Sequence, residues 1–285
     1  MGRTQKRIAV TGANGYIGTH VVEALLEQGA EVIAIDLTTE NVNPSVQKIN
    51  ADIFSGDPNL FEKLGSPDVC LHLAWKDGFF HNSDSHMGYL SKHFEFISNL
   101  MDSGLQQLGV MGSVHEIGFH IGSVDENTPC NPISQYGIAK DALRRSLFLR
   151  AQNKEIIIQW LRAYYIYGDD KRNHSVFTKL IQAEESGQPF FPFTSGTKKY
   201  DFIRIDSLAQ MVAASVLQRK VDGIINCCSG IPISLGEIVE AFIRENQFRI
   251  KLQYGAFPDR PYDSPEIWGD TTKIKQILKD ANITF

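Results

Sequence analysis

Short apolar runs alternate with amphipathic stretches along the first half of the chain. The apolar runs show little polar alternation, which is typical of strands that are buried on both faces of a parallel sheet. They are RIAVTG (7–12), EVIAID (31–36), VCLHLAW (69–75), QLGVMGS (107–113) and EIIIQWLRA (155–163). The stretches at 18–29, 91–106 and 137–152 have the spacing of amphipathic helices. Strands that alternate with helices in this way predict an α/β fold with a doubly wound parallel sheet.

This alternation loosens after about residue 165. Helical segments are predicted at 175–186, 206–219 and 235–246, and the loops between them are rich in proline, glycine and aromatic residues. We expect this half to form a smaller lobe that leans over the carboxyl edge of the sheet, where ligands bind in open α/β sheets.

Composition and charge exclude several classes of protein. The chain has 285 residues, of which 42% are hydrophobic and 21% charged, and its net charge is −5. Lys and Arg never cluster beyond three residues, which argues against nucleic acid or an anionic membrane as a partner. The apolar stretches are shorter than the ~20 residues of a spanning helix. The N-terminus leads directly into a strand, which leaves no room for a signal peptide.

The cysteines give no sign of a metal site or of disulfides. Cys70, Cys130, Cys227 and Cys228 have neither metal-ligand spacing nor the density of a disulfide framework. They are most simply reduced thiols, so the chain is predicted to be cytoplasmic and to hold no metal.

A glycine loop joins the first predicted strand to the first predicted helix. VTGANGYIGTHVVEALL places Gly12, Gly15 and Gly18 between the two elements. Glycines at such positions allow a tight turn, close approach of the backbone to a pyrophosphate, and close packing of helix on strand. The helix N-terminus adds free N–H groups and a positive dipole end. The loop therefore predicts a dinucleotide site.

Two aspartates follow at positions where a dinucleotide would place its adenosine. Asp36 ends the second strand, and a carboxylate there can accept hydrogen bonds from both ribose hydroxyls and repel a 2′-phosphate. No arginine follows it, so NAD(H) is favoured and NADP(H) is the alternative. Asp52 can bond the adenine amino group. Each aspartate can also be an ordinary solvated residue.

A bound nicotinamide needs a proton partner for the oxygen of its substrate. Tyr136 and Lys140 are four residues apart on a predicted helix and therefore share a face. An ammonium group and an oxidised nicotinamide would together lower the pKa of the phenol, which suits it to proton transfer. Ser113 stands at the carboxyl end of a strand and can hold the carbonyl oxygen.

Several further motifs accompany these residues along nearly the whole chain. They are LHLAW, GSVHEIG, YGIAK, LRAYYIYG, YDFIRIDSLAQ and DRPYD. Together with the glycine loop, they resemble the motifs of the extended short-chain dehydrogenase/reductases, in the NAD-dependent epimerase/dehydratase family. The motif of that family that LHLAW resembles is H-L-A-A, with alanine where this chain has Trp75. The enzymes of that group act on nucleotide-linked sugars.

The resemblance implies a Rossmann domain and a substrate lobe. We expect the Rossmann domain at 1–165, with a returning segment near 200–230, and a discontinuous substrate-binding lobe at 166–285. Carried over by motif, Ser113, Tyr136 and Lys140 are the catalytic residues. Lys140 would also bond the nicotinamide ribose, and Arg260 would contact the substrate diphosphate. Family members often form homodimers, which is the expectation here.

The same segments complete the candidate sites. The residues expected to bind the cofactor are Gly12, Asn14, Gly15, Tyr16, Ile17, Gly18, Asp36, Asp52, Ile53, Leu73, Ala74, Tyr136 and Lys140. Those expected to bind the substrate are Lys76, Ser113, His115, Tyr165, Tyr200 and Arg260. His81 and Glu116 either line the same pocket or are ordinary structural residues.

Departures from the family motifs narrow the reaction. Sugar 4,6-dehydratases carry an Asp-Glu pair where this chain has Val114 and His115, so elimination of water would lack its acid and base. Tyr165 and Tyr200 replace the usual asparagine and arginine, which weakens an assignment to the common 4-epimerases. His115 is either an additional acid/base group or a pocket-wall residue.

The remaining interpretation is a keto-reductase. The segments LHLAWKDGFFHNSDSH (71–86) and MGSVHEIGFHIGSVDENTPCNP (111–132) are similar to those of the dTDP-4-keto-6-deoxyhexose reductases. Such an enzyme reduces the 4-keto group of a nucleotide-linked 6-deoxysugar with NAD(P)H, to give a 6-deoxytalose- or fucose-type sugar for polysaccharide or glycoconjugate biosynthesis. One alternative is an NAD-dependent nucleotide-sugar 4-epimerase. A dinucleotide-binding module without chemistry is disfavoured, because Ser113, Tyr136 and Lys140 are all present.

Overall fold

The computed structural model describes residues 6–259 and 263–284. Arg260 therefore lies outside the described residues. The strands are β1 (Arg7–Thr11), β2 (Glu31–Asp36), β3 (Gln47–Asn50), β4 (Val69–His72), β5 (Gln107–Ser113), β6 (Gly122–Val124), β7 (Ile157–Ala163), β8 (Tyr165–Tyr167), β9 (Phe190–Pro192), β10 (Lys199–Arg204), β11 (Gly223–Cys227), β12 (Pro232–Ser234), β13 (Lys251–Gln253) and β14 (Glu266–Gly269). The α-helices are α1 (Tyr16–Glu27), α2 (Leu60–Lys63), α3 (Ser85–Asp102), α4 (Gln135–Ala151), α5 (Val176–Glu185), α6 (Ile205–Leu217), α7 (Leu235–Glu245) and α8 (Thr272–Asp280).

Seven of these strands form one parallel sheet in the order β11-β7-β5-β4-β1-β2-β3. Successive side chains of a strand point to opposite faces, and both faces of this sheet are buried. In β1, Ile8 and Val10 contact the core under α1, α6 and α8, whereas Ala9 contacts the core under α2, α3 and α4. The predicted doubly wound α/β fold is confirmed.

A smaller sheet covers the carboxyl edge of the large one. Its strands run in the order β12-β10-β14-β6, and β8 pairs with β10. A third core lies between this sheet and helices α5 and α7. The strands β9 and β13 form a separate parallel pair.

Three differences from the predicted elements have physical reasons. Strand β3, of sequence QKIN, was not predicted, because it is a polar edge strand without an apolar run. Helix α3 begins at Ser85, before the apolar periodicity that predicted a start at 91. Helix α8 was also missed, since only Ile274, Ile277 and Leu278 of its nine residues are buried.

Candidate active site

A cleft of about 1650 Å³ opens where the large sheet meets the small one. It follows the carboxyl ends of β1, β2, β4 and β5, as expected for a parallel α/β sheet. Twelve of the thirteen predicted cofactor residues line it, and the exception is Asn14. The Asn14 side chain instead bonds Thr38 and the backbone of Asn41. The predicted substrate residues within the described part also line it: Lys76, Ser113, His115, Tyr165 and Tyr200.

The start of α4 places Tyr136 beside Ser113. The Ser134 hydroxyl caps the helix by accepting a hydrogen bond from the Gly137 N–H at 3.2 Å. A Cβ at Gly137 would lie 2.3 Å from the His115 carbonyl oxygen, so only glycine lets the helix approach the turn after β5. Across this contact, Ser113 and Tyr136 line the same part of the cleft.

Lys140 lies one turn further along α4 and is 2% exposed. Its Nζ donates to the Met111 carbonyl oxygen at 2.7 Å and lies 5.8 Å from the centroid of the Tyr136 ring. Burial lowers the pKa of Lys140 to about 7, against the negative charge of Glu116, which raises it. Near neutral pH, Lys140 is therefore present both as the ammonium form and as the neutral amine.

Burial raises the pKa of Tyr136 above its ordinary value, while the neighbouring Ser113 hydroxyl acts in the opposite direction. The protein groups by themselves therefore keep the phenol protonated. A lowering by Lys140 and an oxidised nicotinamide together stays a prediction.

Glu116 lies beneath this site and does not line the cleft. Its fully buried carboxylate accepts hydrogen bonds from the Ser113 backbone N–H at 2.6 Å and from Trp160 Nε1 at 2.9 Å. Arg162 Nη2 lies 3.4 Å from Oε2 of the same carboxylate. Glu116 therefore fixes the backbone that carries Ser113. Of the two residues left open by the sequence, His81 is the one that lines the cleft.

Two histidines lie beside the Tyr136 phenol. The His81 ring is stacked on Tyr136 with 5.2 Å between centroids, and the His115 ring lies 4.2 Å from that of His81. Burial, together with the charge of His81, lowers the pKa of His115 to about 3. His115 is therefore a neutral imidazole near neutral pH, which suits it to hydrogen bonding and not to holding a proton.

The glycine loop fits a pyrophosphate. Gly12 has a φ of +72°, and a Cβ there would lie 2.6 Å from the backbone nitrogen of Ala74. A Cβ at Gly18 would lie 2.1 Å from the Gly12 carbonyl oxygen, so helix and loop are in close contact. Gly15 differs, since a Cβ there would approach only the Gly12 oxygen, at 3.2 Å. Its Cα faces the cleft, which leaves room for a phosphate at the N-terminus of α1.

Asp36 is held in place at the end of β2. Its carboxylate accepts hydrogen bonds from the Asn14 N–H at 3.0 Å and from the Leu37 N–H at 2.8 Å. Each oxygen keeps a further lone pair for a ribose hydroxyl. Asp52 also lines the cleft, and one of its oxygens accepts from the Phe54 N–H.

Comparisons with known proteins identify the family. The model of the NAD dependent epimerase/dehydratase family matches residues 8–228. The chain belongs to this family. It is 41% identical over 269 residues to the dTDP-6-deoxy-L-talose 4-dehydrogenase (NAD(+)) of Aggregatibacter actinomycetemcomitans, an alignment that covers 92% of this chain and 98% of the relative. A putative UDP-glucose 4-epimerase of Methanocaldococcus jannaschii is 27% identical, over 96% of this chain and 90% of that one.

Solved structures of the family have the same fold. The UDP-glucose 4-epimerase of Thermus thermophilus, in complex with NAD, superimposes with a TM-score of 0.83 at 20% identity, over 98% of this chain and 95% of the other. The UDP-N-acetylglucosamine 4-epimerase of Methanobrevibacter ruminantium also gives 0.83, at 21% identity, over 96% and 92%. The predicted fold class and the predicted oxidoreductase of the extended short-chain type are confirmed.

Several residues of the cleft were not predicted. Trp75 follows Ala74 at a place where the family motif has alanine, so its departure from the motif was a visible signal. Phe79 and Phe80 belong to the segment 71–86, whose resemblance to the keto-reductases gave them no individual role, and His174 belongs to a loop without a motif. The two loops meet over Tyr16, where the Phe79 ring lies 6.4 Å from Tyr16 and 5.8 Å from His174.

Two structural absences hold for residues 6–259 and 263–284. No helix in these ranges combines the length and the apolarity that are needed to span a bilayer. No cluster of His, Cys, Asp and Glu in the same ranges could hold a metal ion.

Proposed function

We propose that this chain reduces the 4-keto group of a nucleoside-diphosphate 4-keto-6-deoxyhexose with NAD(H). The proposed substrate is dTDP-linked, and the product is a 6-deoxytalose- or fucose-type sugar for polysaccharide or glycoconjugate biosynthesis. The observation that carries the proposal is the grouping of Ser113, Tyr136 and Lys140 in one cleft that the glycine loop also lines. The relative at 41% identity, named a dTDP-6-deoxy-L-talose 4-dehydrogenase (NAD(+)), supports the substrate class.

Tyr136, Ser113 and Lys140 have different roles in the proposed proton transfer. When bound, the nicotinamide supplies the hydride for reduction or accepts it in the reverse direction. The Tyr136 phenol donates its proton to the oxygen of the new hydroxyl, and burial keeps the phenol in the protonated form that can donate. The Ser113 hydroxyl, which lines the same part of the cleft, holds the same oxygen. The Lys140 ammonium stabilises the phenolate that remains.

The cofactor proposed is NAD(H) in preference to NADP(H). Asp36 lines the cofactor end of the cleft as a carboxylate whose two oxygens are each oriented by a backbone N–H. A 2′-phosphate at that place would be repelled.

The alternative function is an NAD-dependent nucleotide-sugar 4-epimerase. It is favoured by the 27% identical relative, which is named a putative UDP-glucose 4-epimerase. An epimerase needs no net supply of reduced cofactor, whereas a reductase consumes it. A dehydratase is not proposed, because Val114 and His115 line the cleft where an acid pair is needed, and neither is a carboxylic acid.

The test is turnover with dTDP-4-keto-6-deoxyglucose, in the presence and absence of a sugar 3,5-epimerase, while NADH or NADPH absorbance is followed. Oxidation of NADH supports the proposal, and the dependence on the 3,5-epimerase tells an L-sugar substrate from a D-sugar. No oxidation of either cofactor, together with interconversion of UDP-hexoses, would favour the epimerase.

We further propose a division of labour between the two halves and an assembly. Residues 1–165, with the returning segment near 200–230, would bind the dinucleotide, and residues 166–285 would bind the sugar nucleotide. The assignment of β11 to the large sheet supports this division.

A homodimer is proposed through α3 and α4, which lie side by side and expose Met87, Ile138 and Leu149. Light scattering, which gives the molar mass in solution, tests whether the chain forms this dimer. The free cysteines support a cytoplasmic location.

A further inference from the structure

Trp75 brings an indole ring against the amine of Lys140. Trp75 lines the cleft directly after Ala74, and Lys140 Nζ lies 3.7 Å from the centroid of its ring. This distance is well inside the range of a cation–π interaction, which is strongest for tryptophan and for a cation withdrawn from water. The pair meets both conditions, because the ring belongs to a tryptophan and Lys140 is only 2% exposed.

The plane of the indole is fixed from two sides. The His93 ring is stacked on it, with 4.3 Å between centroids and an interplanar angle of 12°. Trp75 Nε1 donates to His86 Nδ1 at 3.1 Å. Since an indole N–H can only donate, His86 Nδ1 accepts, and its Nε2–H then donates to the Phe80 carbonyl oxygen at 2.9 Å.

A buried hydrogen-bonded chain holds His93 in turn. His93 Nδ1 lies 2.8 Å from His72 Nε2, and His72 Nδ1 lies 2.8 Å from Thr11 Oγ1. Both histidines are about 1% exposed. They therefore give the indole a rigid support that reaches back to the end of β1.

We infer that Trp75 is the positioning residue of Lys140, and that its ring face holds the ammonium group in the cleft and favours its charged form. The inference rests on the proposed function, in which Lys140 assists Tyr136. It assigns a purpose to an aromatic residue that stands where the family motif has alanine.

The other ionisable groups around Lys140 do not replace this contribution. Glu116 raises its pKa but lies beneath the turn after β5, bonded to other donors. His72 and His93 are kept neutral chiefly by burial, and the charge of Lys140 lowers the pKa of both further. Tyr136 is kept protonated chiefly by burial. The indole face and the Met111 carbonyl oxygen are thus the neutral groups in direct contact that favour the cation, and the indole is the one supplied by a side chain.

The perturbation is Trp75→Leu, with Trp75→Phe as the matched control. Loss of the ring face is expected to move the titration midpoint of Lys140 down by about one pH unit, the size of a desolvated cation–π interaction. Trp75→Phe keeps a smaller aromatic face and loses the N–H and the second ring, so its midpoint should move by less than half as much. The alkaline limb of the reductive kcat/KM profile should follow the same order.

The measurement is competitive acetylation of the cofactor-free protein with acetic anhydride across the pH range, read at Lys140 by peptide mass spectrometry. If Trp75→Leu does not fold, the wild-type chain produced with fluorotryptophan makes the same test, because fluorine weakens the ring face and nearly preserves its shape. Fluorination should lower the midpoint in the wild-type chain and leave it unchanged in Trp75→Phe, where Trp160 and Trp268 remain.

An unchanged midpoint in folded Trp75→Leu, or in the fluorinated wild-type chain, would overturn the inference. Acetylation requires no turnover, so this outcome is separate from a failure of the proposed function. An enzyme that does not act on the sugar nucleotide would refute the function and leave the titration of Lys140 as measured.

Discussion

Replacement of the buried Glu116 by glutamine tests how the turn after β5, which carries Ser113, is held in place. The carboxylate is fully buried and accepts hydrogen bonds at both oxygens, from the Ser113 N–H and from Trp160 Nε1. Arg162, itself fully buried, is paired with it at 3.4 Å. Glutamine has nearly the same shape, but it places an amide NH₂ where one oxygen accepted and leaves the guanidinium of Arg162 without its counter-ion.

The magnitude follows from the burial of both partners. Removal of one member of a buried ion pair costs about 3–5 kcal/mol, because the remaining charge stays in a medium that does not solvate it. We therefore expect Glu116→Gln to lower the free energy of unfolding by about 3 kcal/mol or more. The loss of the negative charge should also lower the pKa of Lys140, since Glu116 raises it.

The assay is urea unfolding followed by circular dichroism at neutral pH. The matched control is Glu126→Gln, which removes an exposed carboxylate paired with Lys273 and should cost less than about 1 kcal/mol. If Glu116→Gln were no more destabilising than this control, the buried pair would not hold the turn, and the reasoning would be refuted.

Three further predictions concern the chemistry and the pH response. Tyr136→Phe should lower kcat by at least about 100-fold by removing the proton donor, with NADH affinity by fluorescence titration unchanged; surviving turnover would contradict the assignment. Asp36→Ala should shift the ratio of kcat/KM values toward NADPH, and an unchanged ratio would show that Asp36 does not contact the ribose. Burial lowers the folded pKa of His72 from 6.5 to about 3, so the unfolded state binds more protons between these values. The free energy of unfolding should therefore fall as pH drops below about 6.5, by up to about 1.4 kcal/mol per pH unit from this group, and His72→Gln should flatten that slope.

The large sheet was readable from the sequence because its central strands are buried on both faces. β2 (Glu31–Asp36) and β5 (Gln107–Ser113) coincide with the predicted runs. The predicted run at 69–75 was too long, since β4 ends at His72 and Leu73 to Trp75 turn along the cleft. Strand β3 is polar and has one neighbour, so hydrophobic pattern alone could not find it.

The candidate site also contains residues that were predicted from the sequence and residues that were not. Residues in local motifs, such as Gly15 and Tyr136, were predicted to face one cleft, and they do. The support behind them was not predicted, because it depends on distant segments that meet only in the fold. His93 reaches Trp75 from α3, and Trp160 reaches Glu116 from β7. Such contacts leave no pattern of spacing in the sequence.

The order of the strands along the chain has a consequence for folding during synthesis. The strands β6, β8 and β10 of the small sheet are translated before β11, which forms the edge of the large sheet at Gly223–Cys227. Helix α6, which covers α1, also emerges late. A nascent chain that ends near residue 165 therefore keeps the apolar side of α1 uncovered. We expect this enzyme to complete its cofactor half only after most of the chain has left the ribosome, and to depend until then on whatever shields that surface.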